Sequence, residues 1–213
     1  MINKKQLEII LSKLKLPDSP KPSLEQYTIP GNLAAEILNL AYLSGDIKDK
    51  TVFDFGCGSG RLAIGALLLG AKEVVGIDTD ANVLDTAEEN FNSLILENLE
   101  LNGSIGSIRL ICNDIKKFSG KCDTVIQNPP FGIQSEHADR IFLEKAIECG
   151  KNIYSLHKDG YEKTRDFITK FVESKNGKVE QIIPYKFSIP HMFRFHKKPK
   201  KEYNVDLYVI RKD

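Results

Sequence analysis

An apolar run leads directly into a glycine-rich turn in TVFDFGCGSG (residues 51–60), and this stretch decides the fold. A turn of this kind, placed after a strand and before a helix, is typical of nucleotide-binding α/β sheets. Its spacing is G-x-G-x-G, and Arg61 stands where the dinucleotide fingerprint G-x-G-x-x-G has its last glycine. Asp54 near the end of the apolar run would repel a pyrophosphate, so the turn favours a ligand with a positive charge.

The rest of the chain surrounds this turn with alternating short apolar runs and longer stretches of helical periodicity. The predicted strands are residues 51–55, 73–77, 107–111, 124–127, 152–155, 179–187 and 203–210. The predicted helices are residues 6–14, 33–43, 62–69, 82–96, 138–149 and 162–174. The alternation predicts parallel strands with helices on both faces, and the last two strands predict a hairpin. The fold class is therefore α/β and Rossmann-like, with a mostly parallel seven-stranded sheet and an antiparallel terminal strand.

Length and composition predict one soluble globular unit. The 213 residues are 41% hydrophobic and 28% charged, with a net charge of +1. We divide them into an amino-terminal helix and proline-rich linker, residues 1–30, and an α/β domain, residues 31–213. No apolar stretch is long enough to span a bilayer, and the amino terminus, MINKKQ at residues 1–6, lacks the apolar core of a signal peptide, so we expect a cytoplasmic protein. The four cysteines form no C-x-x-C pair, which predicts neither a disulfide framework nor a zinc site.

Carboxylates follow two further predicted strands. Asp78 lies about twenty residues beyond the first glycine of the turn, where a carboxylate can accept both hydroxyls of a ribose. Asp114 follows the third strand and could accept from an adenine amino group, with Ile115 against the ring. Together with Asp54, these residues favour a positively charged nucleoside over a nucleotide with phosphates. S-adenosylmethionine is such a ligand, because it joins adenosine to a sulfonium and an amino-acid tail.

The tetrapeptide Asn128-Pro129-Pro130-Phe131 comes directly after the predicted fourth strand. The two prolines fix the backbone and end the strand, which holds the flanking amide and ring in defined directions. The Asn128 oxygen and a neighbouring carbonyl could both accept from an exocyclic amine while Phe131 stacks on its ring. The alternative is a Pro-Pro turn that only caps a buried strand.

These residues resemble the class I S-adenosylmethionine-dependent methyltransferases, and the NPPF motif resembles their amino-methylating branch. Four ordered motifs go further: LEQYT at residues 24–28, NPPFG at 128–132, YSLHK at 154–158 and FHKK at 195–198. Together they resemble the small-subunit ribosomal RNA adenine N6 methyltransferases of the methyltransferase-like-five type. The chain departs from their pattern in Ser59-Gly60-Arg61 and in Gln127.

The resemblance implies that the NPPF motif holds a target adenine and that residues 26–28 fold over the methionine end of the cofactor. It also implies a small zinc-binding activator of the Trm112 type as a partner. The predicted cofactor-binding residues are Gln26, Tyr27, Thr28, Asp54, Gly56, Gly58, Gly60, Asp78, Asp114, Ile115 and Asn128. The predicted catalytic set is Asn128, Pro129, Pro130 and Phe131.

A segment near the carboxyl terminus, residues 193–201, interleaves aromatic rings with cations and suits structured RNA, in the family's case ribosomal. The alternative for this segment is a solvated hairpin loop. His157 and Lys158 end the fifth predicted strand and could line the substrate cleft, although a hydrogen-bonded structural histidine is the alternative for His157. The predicted substrate contacts are Phe131, His157, Lys158, Phe195, His196, Lys197 and Lys198.

Two other functions compete with RNA methylation. A glutamine N5 methyltransferase of translation factors uses the same grip on an amide, but usually has tyrosine in place of Phe131 and a sizeable amino-terminal domain. A noncatalytic RNA-binding protein could retain a methyltransferase fold. The intact Asp54, Asp78 and Asn128 favour an enzyme over that second alternative.

Overall fold

A computed structural model describes residues 2–21, 24–97, 105–131, 138–158, 162–190 and 200–212 of the protein. Its centre is a seven-stranded sheet with the strand order β3-β2-β1-β4-β5-β7-β6. The strands are β1 (Thr51–Phe55), β2 (Glu73–Asp78), β3 (Ser107–Cys112), β4 (Cys122–Gln127), β5 (Gly150–Lys158), β6 (Gly177–Pro190) and β7 (Lys200–Lys212). All neighbouring strands pair in parallel except β7, which is antiparallel to both β5 and β6. The predicted fold class is therefore confirmed.

Helices cover both faces of this sheet. They are α1 (Lys4–Lys13), α2 (Gly31–Leu43), α3 (Arg61–Leu68), α4 (Ala81–Glu97), α5 (Ala138–Cys149) and α6 (Glu162–Ser174). Successive strand residues point to opposite faces. Val52 packs with α1, α2 and α3, whereas its neighbour Phe53 packs with α5 and α6. The sheet thus divides the core into two layers and leaves the carboxyl ends of β1, β2 and β4 at one edge.

The two strands of the terminal hairpin are longer than the apolar patterns predict. β6 and β7 pair from Gly177 with Lys212 up to Pro190 with Lys200, so backbone hydrogen bonding continues beyond the apolar residues. A hairpin can extend in this way because its ladder needs backbone groups rather than apolar side chains. Of the cysteines, Cys57, Cys122 and Cys149 are buried as small core residues and Cys112 is exposed.

The amino-terminal helix α1 belongs to the core of the sheet's first face. Asn3 caps it, since its side-chain oxygen accepts from the Gln6 backbone amide while the Gln6 side-chain oxygen accepts from the Asn3 backbone amide. Leu7 and Leu11 are 0% exposed and pack among the residues of α2 and α3. The division of the chain at residue 30 stays a prediction, whereas the packing of α1 makes its apolar face part of one continuous core.

Among the helices of the described ranges, none has the length and apolar character that a membrane crossing requires.

Leu11→Ala tests the contribution of α1 to the fold. Removing a fully buried leucine side chain should lower the free energy of unfolding by about 2–5 kcal/mol, because it opens a cavity between helices. Urea denaturation measures this change. The matched control is Ile9→Ala on the same helix, where the side chain is 46% exposed and the effect should stay within about 0.5 kcal/mol. Equal losses in the two variants would contradict the packing of α1.

Candidate active site

A cavity of about 300 Å³ lies where the carboxyl ends of β1, β2 and β4 meet the segment before α2. This is the edge of an open α/β sheet at which ligands bind. Every residue of the predicted cofactor-binding set except Gly60 lines it. Of the predicted catalytic set, Asn128 and Pro130 line it, whereas Pro129 is buried beside it. The structure therefore brings together residues that are far apart in the sequence.

The glycine-rich turn borders this cavity with its backbone. Gly56 and Gly58 have φ values of +69° and +52°, which side chains on other residues rarely permit. A Cβ atom on Gly56 would also approach the Phe142 ring to 3.2 Å. Gly60 also has a positive φ, +82°, and it packs closely against α4, because a Cβ there would lie 3.1 Å from the Cβ of Ala87.

Two carboxylates at the ends of β1 and β2 differ in how many of their oxygen atoms accept a hydrogen bond. Asp78 accepts from the Gly58 amide at 2.9 Å and from the Asp80 amide at 3.0 Å. Burial raises the pKa of Asp78, and these backbone donors oppose the rise. Asp54 is 1% exposed and accepts from the Ala63 amide with Oδ2, but no described residue donates to its Oδ1. Burial raises the pKa of Asp54 to about 8, so a cationic group at Oδ1 would stabilise its charged form.

Only one end of the Asn128 side-chain amide has a hydrogen-bond partner among the described residues. Its Nδ2 donates to the Tyr27 carbonyl oxygen at 3.2 Å. Its Oδ1 is buried, and within the described part of the chain no donor reaches it. Because most buried polar atoms in proteins are hydrogen-bonded, this oxygen is a candidate acceptor for a ligand in the cavity.

A segment that we name the strap, residues 24–30, contributes residues 24–29 to the lining of the cavity. Gln26 Nε2 donates to Asp80 Oδ2 at 3.0 Å and attaches the strap to the start of α4. Buried Glu25, whose φ is +49°, accepts from the Phe131 amide at 2.7 Å. The strap therefore joins the cofactor side of the cavity to the NPPF motif. The Phe131 ring is partly buried against the core layer of α1, α2 and α3, and it does not line the cavity.

Sequence reasoning missed several residues of this site. Ser59 and Arg61 line the cavity, and both are buried with a polar atom that has no partner among the described residues. A signal was available for Arg61, because it is the one charge in the run RLAIGALLL, residues 61–69. Phe142 gave no such signal, since only the folded chain brings α5 to the glycine turn.

His157 lies away from the cavity. Its ring is 2% exposed, with Nε2 at 2.8 Å from Ser155 Oγ and Nδ1 at 3.6 Å from Asp139 Oδ2. The His157 and Tyr208 rings also pack in a T-shaped arrangement, with their centroids 5.3 Å apart. This burial argues against direct contact with a substrate and favours the structural alternative. Lys158 is exposed at the end of β5.

The other predicted substrate contacts lie outside the described residues. They are Phe195, His196, Lys197 and Lys198.

One comparison with known proteins matches only part of the site. The family model for ribosomal protein L11 methyltransferase (PrmA) matches residues 35–128. This match contains the glycine turn and both carboxylates and ends at Asn128. Similarity to that family therefore covers the glycine turn and the carboxylates after it, but neither residues 26–28 nor the NPPF motif beyond Asn128.

Other relatives match the chain over nearly its whole length. An uncharacterised protein of Methanocaldococcus jannaschii is 44% identical, over 100% of this chain and 95% of its own. The crystal structure of a candidate RNA methyltransferase from Pyrococcus horikoshii is 43% identical with a TM-score of 0.87, over 100% of this chain and 98% of that one. The rRNA N(6)-adenosine-methyltransferase METTL5 of Danio rerio is 35% identical, over 95% of both chains. From this extent of similarity we conclude that the chain belongs to the family of the METTL5 rRNA N(6)-adenosine-methyltransferases.

Proposed function

We propose that this protein transfers a methyl group from S-adenosylmethionine to the N6 amine of an adenine in small-subunit ribosomal RNA. The observation that carries the proposal is the Asn128 amide, whose donor side is bonded to Tyr27 and whose buried oxygen has no donor in the described chain. An exocyclic amine is the kind of group that such an oxygen binds. The names of the METTL5 relatives support adenine as the base and ribosomal RNA as the substrate.

The residues that line the cavity fit the proposed cofactor. Asp54 offers a buried oxygen with no donor in the described chain to a cationic group, and Asp78 is held in place for the ribose hydroxyls. Asp114 accepts from the Lys116 amide at 2.9 Å, which fixes a carboxylate next to Ile115 for the adenine end. When it is bound, S-adenosylmethionine supplies a methyl group on a positively charged sulfur.

The chain's own contribution at the amine is positioning. The nitrogen lone pair of adenine is delocalised into the ring, so the amine is a poor nucleophile. Two acceptors, the Asn128 oxygen and the Pro129 carbonyl, would draw its hydrogens out of the ring plane and direct the lone pair at the methyl group. Correct orientation of two reactants accounts for a large share of enzymatic rate enhancement. The methylated nitrogen loses its proton readily, so water is a sufficient final acceptor.

The strap and the NPPF motif hold this arrangement together. Glu25 fixes the backbone at Phe131, and Tyr27 fixes the Asn128 amide. Phe131 would stack on the target adenine, which supplies about 1–3 kcal/mol and offsets part of the unstacking of the base. Because the Phe131 ring rests on the core in the structure, this role requires the base to approach it from outside the cofactor cavity.

RNA is the substrate class that the relatives support. We further propose that the basic segment, residues 193–201, binds RNA phosphates. A Trm112-type activator and a cytoplasmic location stay predictions from the sequence. The stretch between the NPPF motif and α5 is too short for a target-recognition domain, so RNA shape or a second protein would select the adenine.

Labelled S-adenosylmethionine offered with separate pools of ribosomal RNA, transfer RNA, DNA and protein tests this function. The proposal expects label in small-subunit ribosomal RNA, recovered as N6-methyladenosine after digestion. Label in protein alone would contradict it and would favour a glutamine or ribosomal-protein methyltransferase, the class that the L11 methyltransferase match favours. Cofactor binding without transfer to any pool would favour the noncatalytic alternative.

Asn128→Ala should lower the rate of methyl transfer by about 100-fold or more, because the amine loses the acceptor that orients it. Affinity for S-adenosylmethionine, measured by calorimetry, should change little. The matched control is Asn152→Ala at the opposite end of the sheet, where Nδ2 also donates to a backbone carbonyl at 3.2 Å. Full activity in the Asn128 variant, or an equal loss in the control, would refute the role of this amide.

Asp54→Asn should change how stability depends on pH. Between the ordinary pKa of 3.8 and the native pKa of about 8, the folded carboxyl keeps a proton that the unfolded chain has lost. In the unaltered protein, Asp54 therefore lowers the free energy of unfolding by an amount that grows as pH rises through this window. The variant has no such loss, because its side chain does not ionise. Urea denaturation of both proteins at pH 5, 7 and 9 should give a difference that grows in favour of the variant up to about pH 8. A difference that is independent of pH would refute the burial of this charge.

A further inference from the structure

We infer that Arg61 binds the carboxylate at the amino-acid end of S-adenosylmethionine, an inference that rests on the cofactor proposed above. Arg61 opens α3 directly after the glycine turn and lines the cavity. In this chain it replaces the last glycine of the dinucleotide fingerprint. It would thus determine which cofactor analogues the site accepts.

The guanidinium of Arg61 is buried, and no described residue supplies it with a counter-charge. Its side chain is 6% exposed, and one of its terminal nitrogens donates to the Ile29 carbonyl of the strap. Its Nε is buried with no partner among the described residues, and none of their carboxylates forms an ion pair with it. Burial lowers the pKa of Arg61 to about 10, so the group stays charged at neutral pH. A buried cation of this kind is unfavourable until an anion reaches it.

The charges around the cavity indicate which kind of ligand carries that anionic group. Acidic side chains dominate the described lining, and Lys116, the other basic residue there, is exposed. Asp78 would repel a phosphate chain, with its two or more negative charges, and such a chain would bring no cation to Asp54 Oδ1. A single carboxylate beside an ammonium avoids this repulsion, because Asp54 takes the cation and Arg61 the anion. The amino-acid end of S-adenosylmethionine is such a zwitterion.

A second donor lies on the same turn. Ser59 Oγ is buried with no hydrogen-bond partner in the described chain, and it lines the cavity two residues before Arg61. A planar carboxylate matches the fork of guanidinium donors and still has lone pairs for a hydroxyl. Ser59 Oγ and Arg61 Nε, which have no partner among the described residues, therefore both favour an anionic ligand group at this turn.

The alternative is that Arg61 only anchors the strap through Ile29. The two roles differ in their response to ligands. A strap anchor would support every ligand of the cavity equally, whereas a carboxylate site would act only on ligands that carry a carboxylate.

Calorimetric titration of the full chain with three probes separates these roles. The probes are S-adenosylhomocysteine, its decarboxylated analogue, and 5′-methylthioadenosine, which lacks the amino-acid tail. The unaltered protein should bind S-adenosylhomocysteine about 10- to 100-fold more tightly than the decarboxylated analogue, as expected of hydrogen bonds to a charged group. Arg61→Leu should lose this preference and keep its affinity for the two probes without a carboxylate. Arg61→Lys should be intermediate, and Lys116→Leu should keep the preference.

Each outcome decides the inference. Equal affinity of the unaltered protein for S-adenosylhomocysteine and its decarboxylated analogue would overturn it, as would an Arg61→Leu loss of the same size for all three probes. Should Arg61→Leu fail to fold, Arg61→Lys decides, and an unchanged preference in that variant would overturn the inference. Failure of the unaltered protein to bind any probe would instead reject the proposed cofactor.

Discussion

The site depends on one hydrogen bond, from Asn128 Nδ2 to the Tyr27 carbonyl oxygen. An amide side chain can turn either of its ends toward a ligand, and the two ends have opposite hydrogen-bonding character. The strap commits the donor end to the protein, so the acceptor end is what the cavity offers. Tyr27 is itself held, since its amide donates to the Glu25 carbonyl at 2.6 Å. These hydrogen bonds thus fix the end of β4 and the strap relative to each other.

The same principle extends around the cavity. Buried polar atoms without a described partner collect there: Asp54 Oδ1, Ser59 Oγ, Arg61 Nε and Asn128 Oδ1. Each is costly in the free protein, because burial removes water without supplying a replacement. The proposed cofactor would bring a cation and an anion to the first three atoms, and the target adenine would bring an amine to Asn128 Oδ1. These atoms therefore lower the stability of the protein when the site is empty, and they make the binding of a ligand selective.

Much of this arrangement could be predicted from the sequence. The glycine turn, Asp78 and Asp114 all lie at strand ends, and parallel strands bring their carboxyl ends to one edge, so periodicity sufficed to group them. Strap residues such as Gln26 were identified through resemblance to a family rather than through any local pattern. Arg61 was read only as a departure from a motif, because burial of a charge depends on which elements close over it. His157 was misleading for the converse reason, since the sequence gives its strand position but not the neighbours that bury it.

A crystal structure with S-adenosylhomocysteine and an adenosine nucleotide would test the central claim most directly. The account predicts an adenine N6 nitrogen within about 3 Å of Asn128 Oδ1, with Nδ2 still bonded to Tyr27. A complex in which Asn128 Oδ1 accepts from another protein group, or in which the base binds away from the NPPF motif, would contradict it.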